Sequence, residues 1–203
     1  LKQLLHQRCK EKSLIFFDID ETIVMKDTNF VYGFAESDQA IIKLKKTISE
    51  AQVQEISKEL ENIYYSAPFK LVDKKMPILI QKLQKAGHLV YGITSNKANS
   101  NHIQSSLKFL ENKGIKFSAI QLNGFLKSSR AFISNETNVN GIVYSGGSTT
   151  SDKGKIISEI HATLEHQQVS VNNLILVDNT LSKCRKALES CMDLFSIHYC
   201  QAE

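Results

Sequence analysis

At 203 residues, the chain is long enough for one sizeable α/β domain with a small inserted subdomain. With 42% hydrophobic and 23% charged residues, its composition is that of a folded chain and excludes an intrinsically disordered one. The net charge of +4 is mild, and the lysine-dense stretch Lys43 to Lys46 sits among Ile41, Ile42, Leu44 and Ile48, so it reads as a solvated helix face rather than a nucleic-acid stripe.

The elements follow in order. Leu1, Leu4 and Leu5 recur at helical spacing in a short N-terminal helix. Leu14-Ile15-Phe16-Phe17 is an unbroken apolar run, the pattern of a strand buried on both faces in a parallel sheet, and it leads directly into Asp18-Ile19-Asp20-Glu21-Thr22. Phe30 to Phe34 is an aromatic loop or short strand, and Ser37 to Ile48 reads as a helix. Ser49 suits the N-cap of a second helix carrying Val53, Ile56, Leu60 and Ile63, and Pro68 closes that region. Residues 26–68 therefore read as a small helical insert over the strand tip, dividing the main domain into 1–25 and 69–203.

Beyond the insert, strands and helices alternate. Pro77 to Ala86 is a helix closed by Gly87, and His88 to Ile93 a strand ending in Thr94-Ser95-Asn96. Asn99 to Lys113 is a helix closed by Gly114. Residues 115–140 are polar and turn-rich, with Asn123-Gly124 marking a turn. Ile142 to Tyr144 is a strand leading to Gly146-Gly147 and on to Lys153-Gly154, and Lys155 to Gln167 is a helix. Leu174 to Val177 is a buried strand ending in Asp178-Asn179, followed by a helix over Leu181 to Ser190 and a last strand over Leu194 to Tyr199. This alternation predicts an α/β fold with a doubly wound, Rossmann-like parallel sheet.

Cys9, Cys184, Cys191 and Cys200 have no metal-site spacing and read as reduced structural thiols, which points to a reducing, cytoplasmic-type compartment. No apolar run approaches the length of a membrane span, and no membrane contact is expected of this stretch. The first residue is Leu1 rather than Met, so a fragment of a longer protein is expected, with any targeting segment outside it.

Asp18/Asp20/Thr22, Thr94/Ser95/Asn96, Lys153 and Asp178/Asn179 all fall at strand tips or just beyond, on the edge where an open parallel sheet keeps its ligands. Two acids at the end of a buried strand raise each other's pKa and resist desolvation, so a divalent cation is the simplest way to complete the group. Together these residue types suit phosphoryl transfer. One carboxylate attacks phosphorus, a second moves the proton, Mg²⁺ neutralises charge, and a hydroxyl and an ammonium hold the phosphoryl oxygens. Either Thr94 or Ser95 could supply that hydroxyl, and Lys153 or Lys155 the ammonium; strand length favours Thr94, and the helical position of Lys155 favours Lys153.

These residues resemble the haloacid dehalogenase superfamily over most of the chain. Asp18 to Thr22 resembles its first motif, Asp-x-Asp-x-Thr. Thr94 is similar to the motif that follows, Lys153-Gly154 to the third and Asp178 to the fourth, in the same order. The resemblance implies a nucleophile at Asp18 that forms an aspartyl-phosphate and a general acid/base at Asp20. It also implies phosphoryl contacts from Thr94, Ser95, Asn96 and Lys153, and Mg²⁺ on Asp18, the Asp20 carbonyl and Asp178. Many members carry a second acid where this chain has Asn179. The layout also resembles phosphatases of this type secreted as effectors by intracellular bacterial pathogens, some of which act on phosphotyrosine. That implies a phosphotyrosine protein as partner and a host cytosol as destination. A small-metabolite phosphatase, a receiver-type signalling domain and a catalytically silent scaffold are the alternative readings; the order of the acids and the chain length speak against the receiver.

Overall fold

The structure, a computed structural model, describes residues 1–27, 43, 46–96, 101–119, 124–125, 132–134, 141–145 and 152–200. The elements are α1 (Lys2–Arg8), β1 (Ser13–Asp18), β2 (Val24–Lys26), α2 (Glu50–Ser66), β3 (Phe69–Leu71), α3 (Met76–Lys85), β4 (Leu89–Thr94) and α4 (Asn101–Asn112). They continue with β5 (Gly124–Phe125), β6 (Phe132–Ser134), β7 (Ile142–Tyr144), α5 (Lys153–His166), β8 (Asn173–Asp178), α6 (Leu181–Ser190) and β9 (Leu194–His198).

Among the described residues the main sheet has seven strands in the order β5-β6-β7-β4-β1-β8-β9. β1 is central because every one of its residues is buried, a position only a strand without a polar face can hold. It runs parallel to β4, with Leu14 opposite Leu89 and Asp18 opposite Ile93, and parallel to β8, with Phe17 opposite Val177. β4 with β7 and β8 with β9 are parallel as well. The sheet is α/β, mostly parallel and Rossmann-like, as the alternation predicts.

Leu14, Phe16, Tyr91, Ile93, Val143, Leu174 and Leu176 share one core with Ile156, Ile157, Ile160 and Leu164 of α5 and Ala187 of α6. The intervening Ile15, Phe17, Val90, Ile175 and Val177 are equally buried and point to the opposite face, as the two-residue strand period requires. Each of the fully buried residues Leu14 to Phe17 contributes about 1.5–3 kcal/mol to folding.

The chain leaves β1 towards β4 and β7, then returns to β8 on the other flank of β1 and continues to β9. The order therefore switches between β1 and β8, and the crevice beyond their C-terminal ends is where such sheets place ligands. Asp18 and Asp178 are the last residues of those two strands.

Four expectations change. The stretch 115–140, read as turns, contains β5 and β6; β6 pairs antiparallel with both β5 and β7, so one edge of the sheet is not parallel. Strands of two and three residues show no alternation that a sequence can reveal, and Gly124, expected in a turn, begins β5. The insert, read as helical, is flanked by β2 and β3, which form a separate two-stranded sheet. Helix α5 begins at Lys153, two residues early, because Asp152 caps it by accepting the Lys155 N–H at 3.2 Å. The helix expected over Ser37 to Ile48 does not reach its end: Lys46 N–H bonds the Lys43 carbonyl, three residues back, in a turn. The rest of that helix and the aromatic stretch Phe30 to Phe34 lie outside the described residues.

The chain divides into two compact units, 1–24 with 71–203, and 25–70. In the smaller unit, α2 follows Ser49, whose Oγ accepts the Gln52 N–H at 3.4 Å, and Val53 is buried. Lys26 sits 3.7 Å from the centre of the Phe69 ring and donates to the Ala67 carbonyl at 2.9 Å, so Phe69 belongs to the packing of this unit. Among the described residues no helix is long and apolar enough to cross a membrane.

Candidate active site

The first acid of the β1 tip, Asp18, is 2% exposed. Lys153 Nζ lies 2.5 Å from its Oδ1 and 2.6 Å from Asp178 Oδ2, so one buried ammonium joins residues from two adjacent strands and a helix. The lysine arrives there because α5 starts beside α6. Asp152, its cap, also accepts the Ser190 hydroxyl of α6 at 2.5 Å. A Cβ at Gly154 would stand 2.2 Å from the Ala187 carbonyl oxygen, so only glycine allows that approach. Lys155 is exposed, which leaves Lys153 as the lysine of the site.

The remaining oxygens are also held. Thr22 Oγ1 donates to Asp18 Oδ2 at 3.4 Å, and the Thr180 N–H donates to Asp178 Oδ1 at 2.8 Å. Burial pushes the Asp18 carboxyl up to about 6 from 3.8; Lys153 opposes that shift and Asp178 adds to it. Burial alone would lower Lys153, but the charges of Asp18 and Asp178 prevail and hold it above its ordinary 10.5.

Asp20 turns the other way, towards β4. Its Oδ2 accepts from Thr94 Oγ1 at 3.1 Å and from Asn96 Nδ2 at 2.8 Å, while the Asn96 N–H donates to Thr94 Oγ1 at 3.1 Å. The hydroxyl expected on a phosphoryl group thus gives its proton to Asp20, and the Asn96 side chain, expected on substrate, also orients Asp20. Ser95 follows half-buried beyond the end of β4.

Sequence reasoning missed three contributors. Ser145, just past β7, donates to the Thr94 carbonyl from both its N–H, at 2.9 Å, and its hydroxyl, at 3.0 Å, locking the β4 tip. Lys183, in the first turn of α6, places a second positive charge close enough to favour ionised Asp18. Glu21, with φ of 60°, accepts from Asn179 Nδ2 at 3.0 Å. A helix beginning right after the β8 tip was the available signal for Lys183; the other two depend on which strands become neighbours.

Three carboxylates against one buried lysine leave the site short of positive charge, and their hard oxygens are the donors that Mg²⁺ selects. Asp18 and Asp178 converge on the Lys153 ammonium, and their oxygens are the ones that a small divalent ion would take. Asp20 Oδ2 faces Thr94 and Asn96 instead. Among the described residues, no group of three or more His, Cys, Asp or Glu is placed to hold a metal ion.

No curated protein matches the chain. Among solved structures, it is similar to a hydrolase, a haloacid dehalogenase-like family protein from Streptococcus pneumoniae. The identity is 18%, with 88% of this chain and 81% of that chain covered and a TM-score of 0.42. The model of one protein family, described as protein of unknown function (DUF2608), matches residues 1–203, and the chain belongs to that family.

Proposed function

We propose that this protein is a phosphomonoester hydrolase of haloacid dehalogenase type with Asp18 as nucleophile. The observation that carries the reading is the buried bridge from Lys153 to Asp18 and Asp178 at the switch point of the sheet. A buried charge group of this kind at a ligand-binding edge suits a transferring dianion better than it suits stability, since apolar side chains would fill the same space at less electrostatic cost.

In this reading Asp18 attacks phosphorus, the ester P–O bond breaks, and Asp20 gives its proton to the departing alcohol oxygen. Asp20 then takes a proton from water, whose oxygen attacks the phosphoryl group, and the P–O bond to Asp18 breaks to release phosphate. Thr94 and Asn96 hold Asp20 in place for both transfers. Lys153 keeps Asp18 oriented and offers positive charge to the equatorial oxygens. Asp18 and Asp178, with the Asp20 carbonyl, would hold Mg²⁺, which when bound supplies Lewis-acid polarisation and neutralises the phosphoryl charge.

The proposed substrate is a protein phosphotyrosine, and delivery into a host cell as an effector belongs to the same proposal; both rest on the resemblance in layout. Sugar or nucleotide phosphates outrunning every phosphotyrosine peptide in a substrate panel would make the protein a small-metabolite phosphatase instead.

The mechanism is tested by hydrolysis of p-nitrophenyl phosphate with and without Mg²⁺. The parent chain is expected to turn over only with the metal, and Asp18→Asn to lose turnover at unchanged fold. Turnover that survives Asp18→Asn would move the nucleophile elsewhere. No turnover by the parent on any phosphomonoester would leave a binding scaffold.

A further inference from the structure

The turns that follow β1 and β8 are tied together by side chains that the proposed reaction does not use. Glu21 has φ of 60°, a left-handed conformation uncommon for a residue with a Cβ, which its surroundings must hold in place. Two contacts do so: its N–H donates to the Val24 carbonyl at 2.7 Å, and its Oε2 accepts from Asn179 Nδ2 at 3.0 Å. Asn179 also donates its backbone N–H to Thr22 Oγ1 at 3.0 Å, and that hydroxyl in turn donates to Asp18 Oδ2. On its other side, Asn179 Oδ1 accepts from the Thr180 hydroxyl at 3.3 Å, and His198 Nε2 lies 2.9 Å from its carbonyl oxygen.

We infer that Glu21 and Asn179 form a clasp that sets the orientation of the Asp18 carboxylate through Thr22, which makes both of them positioning residues. The chemistry requires one partner that only accepts and one that donates. A carboxylate at 21 has no proton to give, and the amide at 179 supplies it. An acid at 179 would place two acceptors of like charge side by side, beside Asp18, Asp20 and Asp178. The asparagine is therefore matched to Glu21 and is not a weakened cation ligand. The effect on turnover rests on the phosphatase reading; the clasp itself does not.

The test is a double-mutant cycle on the full chain, with Glu21→Gln, Asn179→Asp and both together. It is read by heat unfolding and by kcat and KM on p-nitrophenyl phosphate with Mg²⁺. Asn179→Asp is expected to lower Tm and to lower kcat about tenfold at little change in KM. The double variant, in which the amide introduced at position 21 donates to the new carboxylate, is expected to recover most of both. Parent-like Tm and kcat in Asn179→Asp, tighter Mg²⁺ binding by that variant with undiminished kcat, or additive losses in the double variant would each overturn the clasp. A parent without turnover would overturn the phosphatase reading alone, because the Tm cycle still decides whether the two side chains are coupled.

Discussion

Lys153 is buried between two negative charges that would otherwise face each other out of water, and removing one member of such a group typically costs about 3–5 kcal/mol. His88 shows the same physics with a neutral partner. It is buried at the start of β4, its Nδ1 accepts the Ser13 N–H at 3.2 Å, and burial holds its pKa below 6.5. An imidazole that accepts at Nδ1 cannot carry a proton there, so the folded state binds protons more weakly than the unfolded one. The sign follows: stability is full above pH 6.5 and falls as pH drops from there through the lower folded pKa. His88→Gln, whose amide oxygen can accept the same N–H, should flatten the fall in Tm over that window. An unchanged slope would show that other groups govern acid sensitivity.

At the scale of the element, α5 matters through where it starts. Asp152 caps it, Ser190 holds the cap, and Gly154 lets its first turn lie against the Ala187 backbone, which together carry Lys153 to the strand tips. Gly154→Ala forces helix and neighbour apart and should cost about 1–3 kcal/mol, with a fall in phosphate-ester turnover as Lys153 moves. Ala162→Gly, at an exposed position in the same helix, should cost about 1 kcal/mol and leave turnover intact, because only helix propensity changes. Parallel losses of Tm and unequal losses of turnover are the expected pattern. Full turnover in Gly154→Ala would mean that the close approach does not place the lysine.

For the whole molecule, the division into 1–24 with 71–203 and 25–70 carries a consequence for folding. Every residue of the core formed by the sheet with α5 and α6 belongs to the first unit. At the base of the insert, Val72 N–H bonds the Ile23 carbonyl and Asp27 N–H bonds the Pro68 carbonyl, so the two connecting chains already run side by side. Replacing residues 28–67 with a short Gly/Ser linker should therefore leave a cooperatively unfolding core, which circular dichroism during heat unfolding checks. A core that no longer unfolds cooperatively would show that the insert is part of its folding unit.

What the sequence determined by itself was local: the apolar runs of β1, β4 and β8, the 3.6-residue period of α5 and α6, and the acids at the strand tips. Burial on both faces leaves a continuous apolar run, and burial on one face of a helix leaves a period, so both are legible without the fold. Tertiary structure alone decided the rest. The antiparallel edge of β5 and β6 and the β2–β3 pair are too short to carry a period. Asp20 found Thr94 and Asn96 because β4 lies beside β1. Glu21 and Asn179 are 158 positions apart and meet only because β8 is the other neighbour of β1. Hydrogen bonds of that range depend on strand order, and strand order is a property of the packed sheet rather than of any stretch of chain.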